Sequence, residues 1–366
     1  MRMVIVADAG DKTGEAGRLY LAQIRSLLRR MREEERLEPV LVCPAGSILE
    51  DTAKEAFIPS LPAARPGDLL RTLKLWQWQR RTGRMGVLVV GEAALSAARL
   101  LMKLRGKRDT FLSFAFFRRA PANEIRDVRF LGRGNLFFCG TRAIAGEIEK
   151  MTGSEAACRA IPPGLDIALY RIARPQGNAA FDENRNFAFG MAGSLSPQSG
   201  ALLVIRAMAA IWQKRGLPPW EVRMFGGGPR YEEILREAGN LGVSARLSLL
   251  DEQDLPDVCG LCDAWLAPGF SPDEGPEILW SGVAAGLPLI CSRTPLHEER
   301  LPADAAVLKT GEDDPQKLAS AMIAVLESGN LRREMVAGME KWREYISADR
   351  MAREVCEDLM KSARLD

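Results

Sequence analysis

The stretch Ser271-Pro-Asp-Glu-Gly-Pro-Glu-Ile-Leu-Trp-Ser-Gly-Val-Ala-Ala-Gly-Leu-Pro288 joins an acidic, proline-bearing turn to an apolar run, so Glu274 and Glu277 fall at the mouth of a helix that starts near Pro276. Free backbone N–H groups and the positive end of the helix dipole make such a mouth an anion site. Here Pro276 removes one N–H, and Glu277 supplies a carboxylate that answers the dipole from within and repels an incoming anion. Glu274 reads either as a group that touches a ligand or as a surface acid on a proline-containing loop. Two further stretches offer exposed backbone of the same kind, Gly193-Ser-Leu-Ser-Pro-Gln-Ser-Gly200 and Phe225-Gly-Gly-Gly-Pro-Arg-Tyr231. Near the start, Gly14 and Gly17 either let the backbone approach a ligand or simply turn a strand into a helix.

Other chemistries lack their residues. The segment Asp8-Ala-Gly-Asp-Lys-Thr-Gly-Glu-Ala-Gly17 does not match the dinucleotide fingerprint, and it lacks the lysine placement of a phosphate-binding NTPase loop. With one histidine, His297, a histidine-based metal site or a Ser-His-Asp triad has little material. Cys259-x-x-Cys262 is the only paired spacing, and zinc needs two more ligands than it supplies, so neither a metal nor a resident cofactor is expected.

Loops of this kind need elements that end where ligands gather. Short β-rich runs alternate with amphipathic stretches along the whole chain, the pattern of parallel sheets covered by helices. Strands are expected at 3–7, 39–43, 87–90, 110–113 and 136–139, then at 187–191, 221–225, 246–249, 264–267 and 289–291. Helices are expected at about 17–36, 201–214, 230–238, after Pro276, 315–326 and 349–361. Two doubly wound α/β domains follow, Rossmann-like in topology. Their expected bounds are 1–168, a polar linker at 169–186, and 187–346, with a helix at about 347–366 packing back on the first domain.

Taken together, the loops resemble those of the GT-B fold glycosyltransferases of the large retaining family 4. The second domain of that family begins with G-R-L-x-x-x-K-G, continues through a G-x-G-P turn and ends with E-G-F-G-L-V-L-L-E-A-M-A-x-G-x-P. This chain has Gly193 to Gly200, Gly226-Gly-Gly-Pro229 and Glu274 to Pro288 in the same order. Ile161-Pro-Pro-Gly-Leu-Asp166 is similar to the I-P-N-G-V-D segment that closes the first domain, and Leu296-His-Glu298 and Gly311-Glu-Asp-Asp-Pro315 fit later landmarks.

The resemblance implies two domains facing across a cleft, with a nucleotide-sugar co-substrate whose diphosphate lies at helix N-termini of the second domain. It implies sugar transfer, with retention, to a glycan or lipid-linked acceptor. Donor contacts would come from Gly14, from Gly193, Ser194 and Ser199, from Gly226, Gly227, Gly228 and Arg230, and from Glu274, Gly275, Glu277, Ile278 and Gly282. Glu274 is the catalytic candidate. Ser194 stands where the family has Arg, Ser199 where it has Lys, and Gly282 where it has the second Glu. Each lost charge-assisted hydrogen bond is worth roughly 1.5–3 kcal/mol, so three weaken donor binding by several orders of magnitude. Arg230 or Lys12 would neutralise phosphate in an active enzyme. In the alternative reading the chain is an inactive scaffold that binds a glycan or a partner protein, and in a third it is a nucleotide-sugar epimerase.

At 366 residues, two domains are the ordinary expectation. The net charge of +2 conceals a first half, residues 1–165, at +10 and a remainder at −8. A basic half with Trp76 and Trp78 among lysines and arginines suits either an anionic membrane surface or a plain solvated face, and nothing points to nucleic acid. No apolar run spans a bilayer, no secretory leader is evident, and the seven cysteines are scattered, so a cytoplasmic protein, peripheral at the inner membrane face, is expected.

Overall fold

The computed structural model describes residues 2–7, 15–63, 85–90, 110–116, 136–152, 157–173, 185–269, 276–301, 307–311 and 313–362. Gly14, Lys12, Glu274, Gly275 and the Trp76–Trp78 segment lie outside these residues. Two compact units are present, Met1–Gly164 with Ser347–Asp366, and Leu165–Ile346.

The first unit holds strands β1 (Arg2–Ala7), β2 (Glu38–Pro44), β3 (Ser60–Ala63), β4 (Met85–Val90), β5 (Thr110–Phe116), β6 (Leu136–Cys139) and β7 (Ala157–Ala160). They form one sheet in the order β3-β2-β1-β4-β5-β6-β7, with every described pairing parallel. Strands buried on both faces read as continuous apolar runs, and Met3 to Ala7 is one. Helices α1 (Glu15–Glu33), α2 (Ile48–Glu55) and α3 (Arg142–Thr152) belong to the same unit. On α1 Gln23, Leu27 and Met31 are buried, and Arg25 and Arg29 are exposed. The C-terminal helix, Ala348–Ser362, buries Met351, Val355, Cys356 and Leu359 in the cluster that contains Leu27 and Leu28.

The second unit begins with α4 (Ile167–Ala173), so residues 169–173, read above as linker, are helical. Tyr170 is buried there, which gives the helix an inward anchor that a polar linker would lack. Then follow β8 (Phe187–Ala192), α5 (Ala201–Trp212), β9 (Trp220–Phe225), α6 (Tyr231–Asn240), β10 (Leu247–Leu250) and α7 (Leu255–Gly260). After them come β11 (Ala264–Ala267), α8 (Pro276–Ala285), β12 (Leu289–Ser292), α9 (Pro295–Arg300), β13 (Leu308–Thr310), α10 (Pro315–Glu327) and α11 (Gly329–Tyr345). The sheet order is β10-β9-β8-β11-β12-β13. Strand order reverses between β8 and β11, so the loops leaving their carboxyl ends border the crevice where doubly wound sheets take ligands.

Candidate functional site

Two loops and the first turn of α8 converge at that reversal point. The N–H of Gly193 donates to Phe225 O (3.0 Å), that of Leu195 to Gly227 O (3.0 Å) and that of Arg230 to Leu195 O (3.1 Å), so the loop after β8 is laced to the turn after β9. Close approach demands glycine. Gly226 has φ +129°, and a Cβ there would collide with Gly193 O, while one at Gly228 would lie 2.7 Å from Leu195 O. Gly193, at φ +117°, faces the first turn of α8, where a Cβ would come within 2.9 Å of Ile278 Cδ1. Gly193, Gly226, Gly228, Arg230 and Ile278 are thus brought together, while a Cβ on Gly227 would meet nothing within 4 Å.

The polar side chains of these loops are mostly committed elsewhere. Ser194 is exposed. Ser199 is only 2% exposed; its hydroxyl donates to Ser196 O (2.9 Å) and accepts from the N–H of Ala201 (3.3 Å) at the start of α5. Arg230 pairs with Glu233 at 3.3 Å. Glu277 is buried in the first turn of α8 rather than open at its mouth.

Gly282 faces the sheet. A Cβ at Gly282 would sit 2.8 Å from Trp265 Cδ1, so no side chain that reaches a ligand is possible there without displacing the indole. Trp265 is held by its own hydrogen bond from Nε1 to Ile278 O (2.7 Å). The neighbouring Ser281 points another way. Its hydroxyl donates to Glu277 O (2.5 Å), leaving Tyr170 to donate to Ser281 Oγ across 2.8 Å.

Two side chains that were not among the expected donor contacts also line the crevice, His297 and Arg300, together with Ser199, Pro268, Gly269 and Ile278. His297 donates from Nδ1 to Ser292 O (2.8 Å), and Ser292 Oγ donates to Gly269 O (3.0 Å), tying α9 to the segment that leaves β11. Burial pushes the His297 imidazole below its ordinary pKa, and the cations of Arg300 and Lys309 push the same way, against the Ser292 carbonyl and Glu298. The imidazole is therefore neutral at pH 7. The available signal was its being the sole histidine, set directly behind the Thr294 cap that receives its N–H at 3.0 Å.

No group of three metal-ligating side chains occurs among the described residues. Cys259 and Cys262 are buried, without a disulfide. The site as built brings together glycine-rich backbone, one buried arginine and a neutral imidazole, which suits a small polar ligand.

Residues 176–342 match the family model for glycosyl transferases group 1. A 157-residue stretch is 24% identical to the GDP-mannose-dependent alpha-(1-6)-phosphatidylinositol monomannoside mannosyltransferase of Mycolicibacterium smegmatis, covering 39% of this chain and 40% of that protein. Among solved structures, a glycosyltransferase from Rickettsia africae aligns with a TM-score of 0.74 at 10% identity over 100% of this chain and 99% of its own. Anabaena HepE in complex with UDP aligns at 0.72 and 16% identity over 99% of this chain and 100% of its own. The sucrose-phosphate synthase of Thermosynechococcus elongatus aligns at 0.65 and 12% identity, covering 100% of both chains. The fold is GT-B.

Proposed function

We propose that this chain, whose residues 176–342 match the group 1 glycosyl transferase family model, binds a nucleoside diphosphate sugar at the loops after β8 and β9 and the start of α8. It transfers the sugar, with retention, to a glycan or lipid-linked acceptor. The observation that carries the reading is the interlock of Gly193, Gly226 and Gly228 beside Ile278, which keeps a side-chain-free floor at the strand-order reversal. Support also comes from similar proteins, Anabaena HepE in complexes with UDP and with UDP-glucose and a GDP-mannose-dependent mannosyltransferase.

The same geometry supports weak donor binding. Ser199 hydrogen bonds within its own loop, Ser194 carries no charge, and Gly282 is filled by Trp265. Counted back from Gly286-Leu-Pro288, it is Ser281 that stands at the second Glu of the family motif, and Ser281 is engaged with Tyr170. These observations favour a second reading, a scaffold without turnover that holds a glycan or a partner protein. Calorimetry with UDP-glucose and GDP-mannose is expected to give dissociation constants near millimolar, about −4 kcal/mol; micromolar binding of either overturns the weakened site. Release of UDP or GDP with product formation on any saccharide or polyprenol-linked acceptor decides for the transferase over the scaffold.

The Ser194→Arg variant returns a guanidinium to an exposed position on the first loop. A charge-assisted hydrogen bond of roughly 1.5–3 kcal/mol corresponds to about tenfold or more in affinity. An unchanged dissociation constant would mean that the phosphate does not lie at this loop. The cytoplasmic face of an anionic membrane fits the basic first half. Flotation with anionic vesicles is expected to capture the protein at low salt and release it at high salt, as screening demands.

A further inference from the structure

The sole histidine of the chain lines the crevice. His297 is only 5% exposed, and its Nδ1–H is pinned to Ser292 O at 2.8 Å. Its other contacts are the cap to Thr294 through the backbone and a 3.4 Å approach of the same Nδ1 to Ser292 Oγ. Among the described residues no hydrogen bond engages Nε2. With Nδ1 carrying the proton in the neutral ring, Nε2 holds a lone pair. Burial and the neighbouring Arg300 and Lys309 keep the ring in that neutral state.

A lone pair selects its ligand group by chemistry. The phosphates of a nucleoside diphosphate sugar are fully ionised and offer only further lone pairs, so they are repelled; a sugar hydroxyl offers a proton. Ser199, from the loop after β8, and Ile278, from the first turn of α8, line the same crevice. We propose that His297 Nε2 accepts a hydrogen bond from a hydroxyl of the donor's sugar ring and so reads the sugar moiety, while the diphosphate lies over the glycine floor. The inference rests on the donor reading above and adds to it the group that discriminates among sugars.

The test uses the whole chain, with UDP, UDP-glucose, GDP and GDP-mannose titrated by ligand-observed NMR against the wild type and His297→Asn. Asn keeps an amide N–H near the Nδ1 position for Ser292 O and removes the Nε2 acceptor. The expected result is about tenfold weaker binding of a nucleotide sugar with its nucleoside diphosphate unchanged. Equal losses for both ligands, or no loss for either, overturn the proposal. On the wild-type chain, one monodeoxy analogue of the bound sugar should lose the same tenfold without any variant, and uniform binding across the analogue series also overturns it. A wild type that binds neither the nucleotides nor their sugars refutes the donor reading itself, before any variant is compared.

Discussion

At the scale of single residues, Trp265 explains more of the site than any charged group does. Its indole needs space on two sides. A Cβ on Gly190 would lie 3.1 Å from its Cε3, and one on Gly282 2.8 Å from its Cδ1. Gly282→Ala is therefore expected to overpack the unit by about 1–3 kcal/mol, read as a lower denaturant midpoint, and Gly282→Glu should cost more without creating a ribose contact. That residue was legible in the sequence as a glycine in a motif but not as a packing partner, because the indole that claims its space is 17 positions away in the chain. Counting back from Gly286 would have put the ligand position on Ser281. His297 carries a second residue-scale prediction. Its folded pKa lies below the ordinary 6.5, so the folded state binds fewer protons than the unfolded chain. The stability it contributes is whole above pH 6.5 and falls as pH drops through and below that value, at up to about 1.4 kcal/mol per pH unit. Urea unfolding at pH 7 and pH 5 should show a larger acid loss for the wild type than for His297→Asn; parallel losses would assign the acid sensitivity to carboxylates instead.

At the scale of elements, the sequence reading captured the strands with two buried faces and the edge strand β10, and missed the other three at the rims. β3, β7 and β13 are all edge strands. β3 contains Pro62, which an edge tolerates because no neighbour needs its missing N–H. β7 is largely exposed, and β13 has three residues, two of them half-buried; none presents the apolar run by which a central strand is recognised. The glycine loops were legible because their composition states their backbone, whereas the bonding of Ser199 to its own loop was not, since serine caps and serine ligands read alike. The interlock gives paired expectations. Gly226→Ala puts a Cβ into Gly193 O at φ +129°, and is expected to cost about 1–3 kcal/mol and to abolish nucleotide-sugar binding. Gly227→Ala, one residue on and open on all sides, should change stability by no more than about 0.5 kcal/mol. Equal behaviour of the two variants would mean that the β8 and β9 loops do not need their close approach.

At the scale of the whole molecule, the chain is two cores, and the shorter C-terminal piece belongs to the first. The helix Ala348–Ser362 follows directly after the end of the second unit at Ile346, yet Met351, Val355, Cys356 and Leu359 are fully buried beside α1. Arg350 reinforces the attachment through a 2.9 Å bond to Pro162 O, and Arg29 through a 2.6 Å bond to Asp349. The helix and its return to the first domain were both expected from the sequence, and the core it completes supplies the physical reason. Burying each of these large apolar side chains contributes about 1.5–3 kcal/mol, so their sum is comparable with the roughly 5–15 kcal/mol stability of an entire domain. A chain ending at Ile346 is therefore expected to lose the first unit and keep the second. Calorimetry of the truncated chain should show the higher-resolved transition of the second unit persisting while the other disappears, and amide exchange should be protected in β8–β12 but not in β1, β2 and β4. Loss of both transitions together would mean that the second unit depends on the first for its fold, and that residues 165–346 do not form an autonomous core.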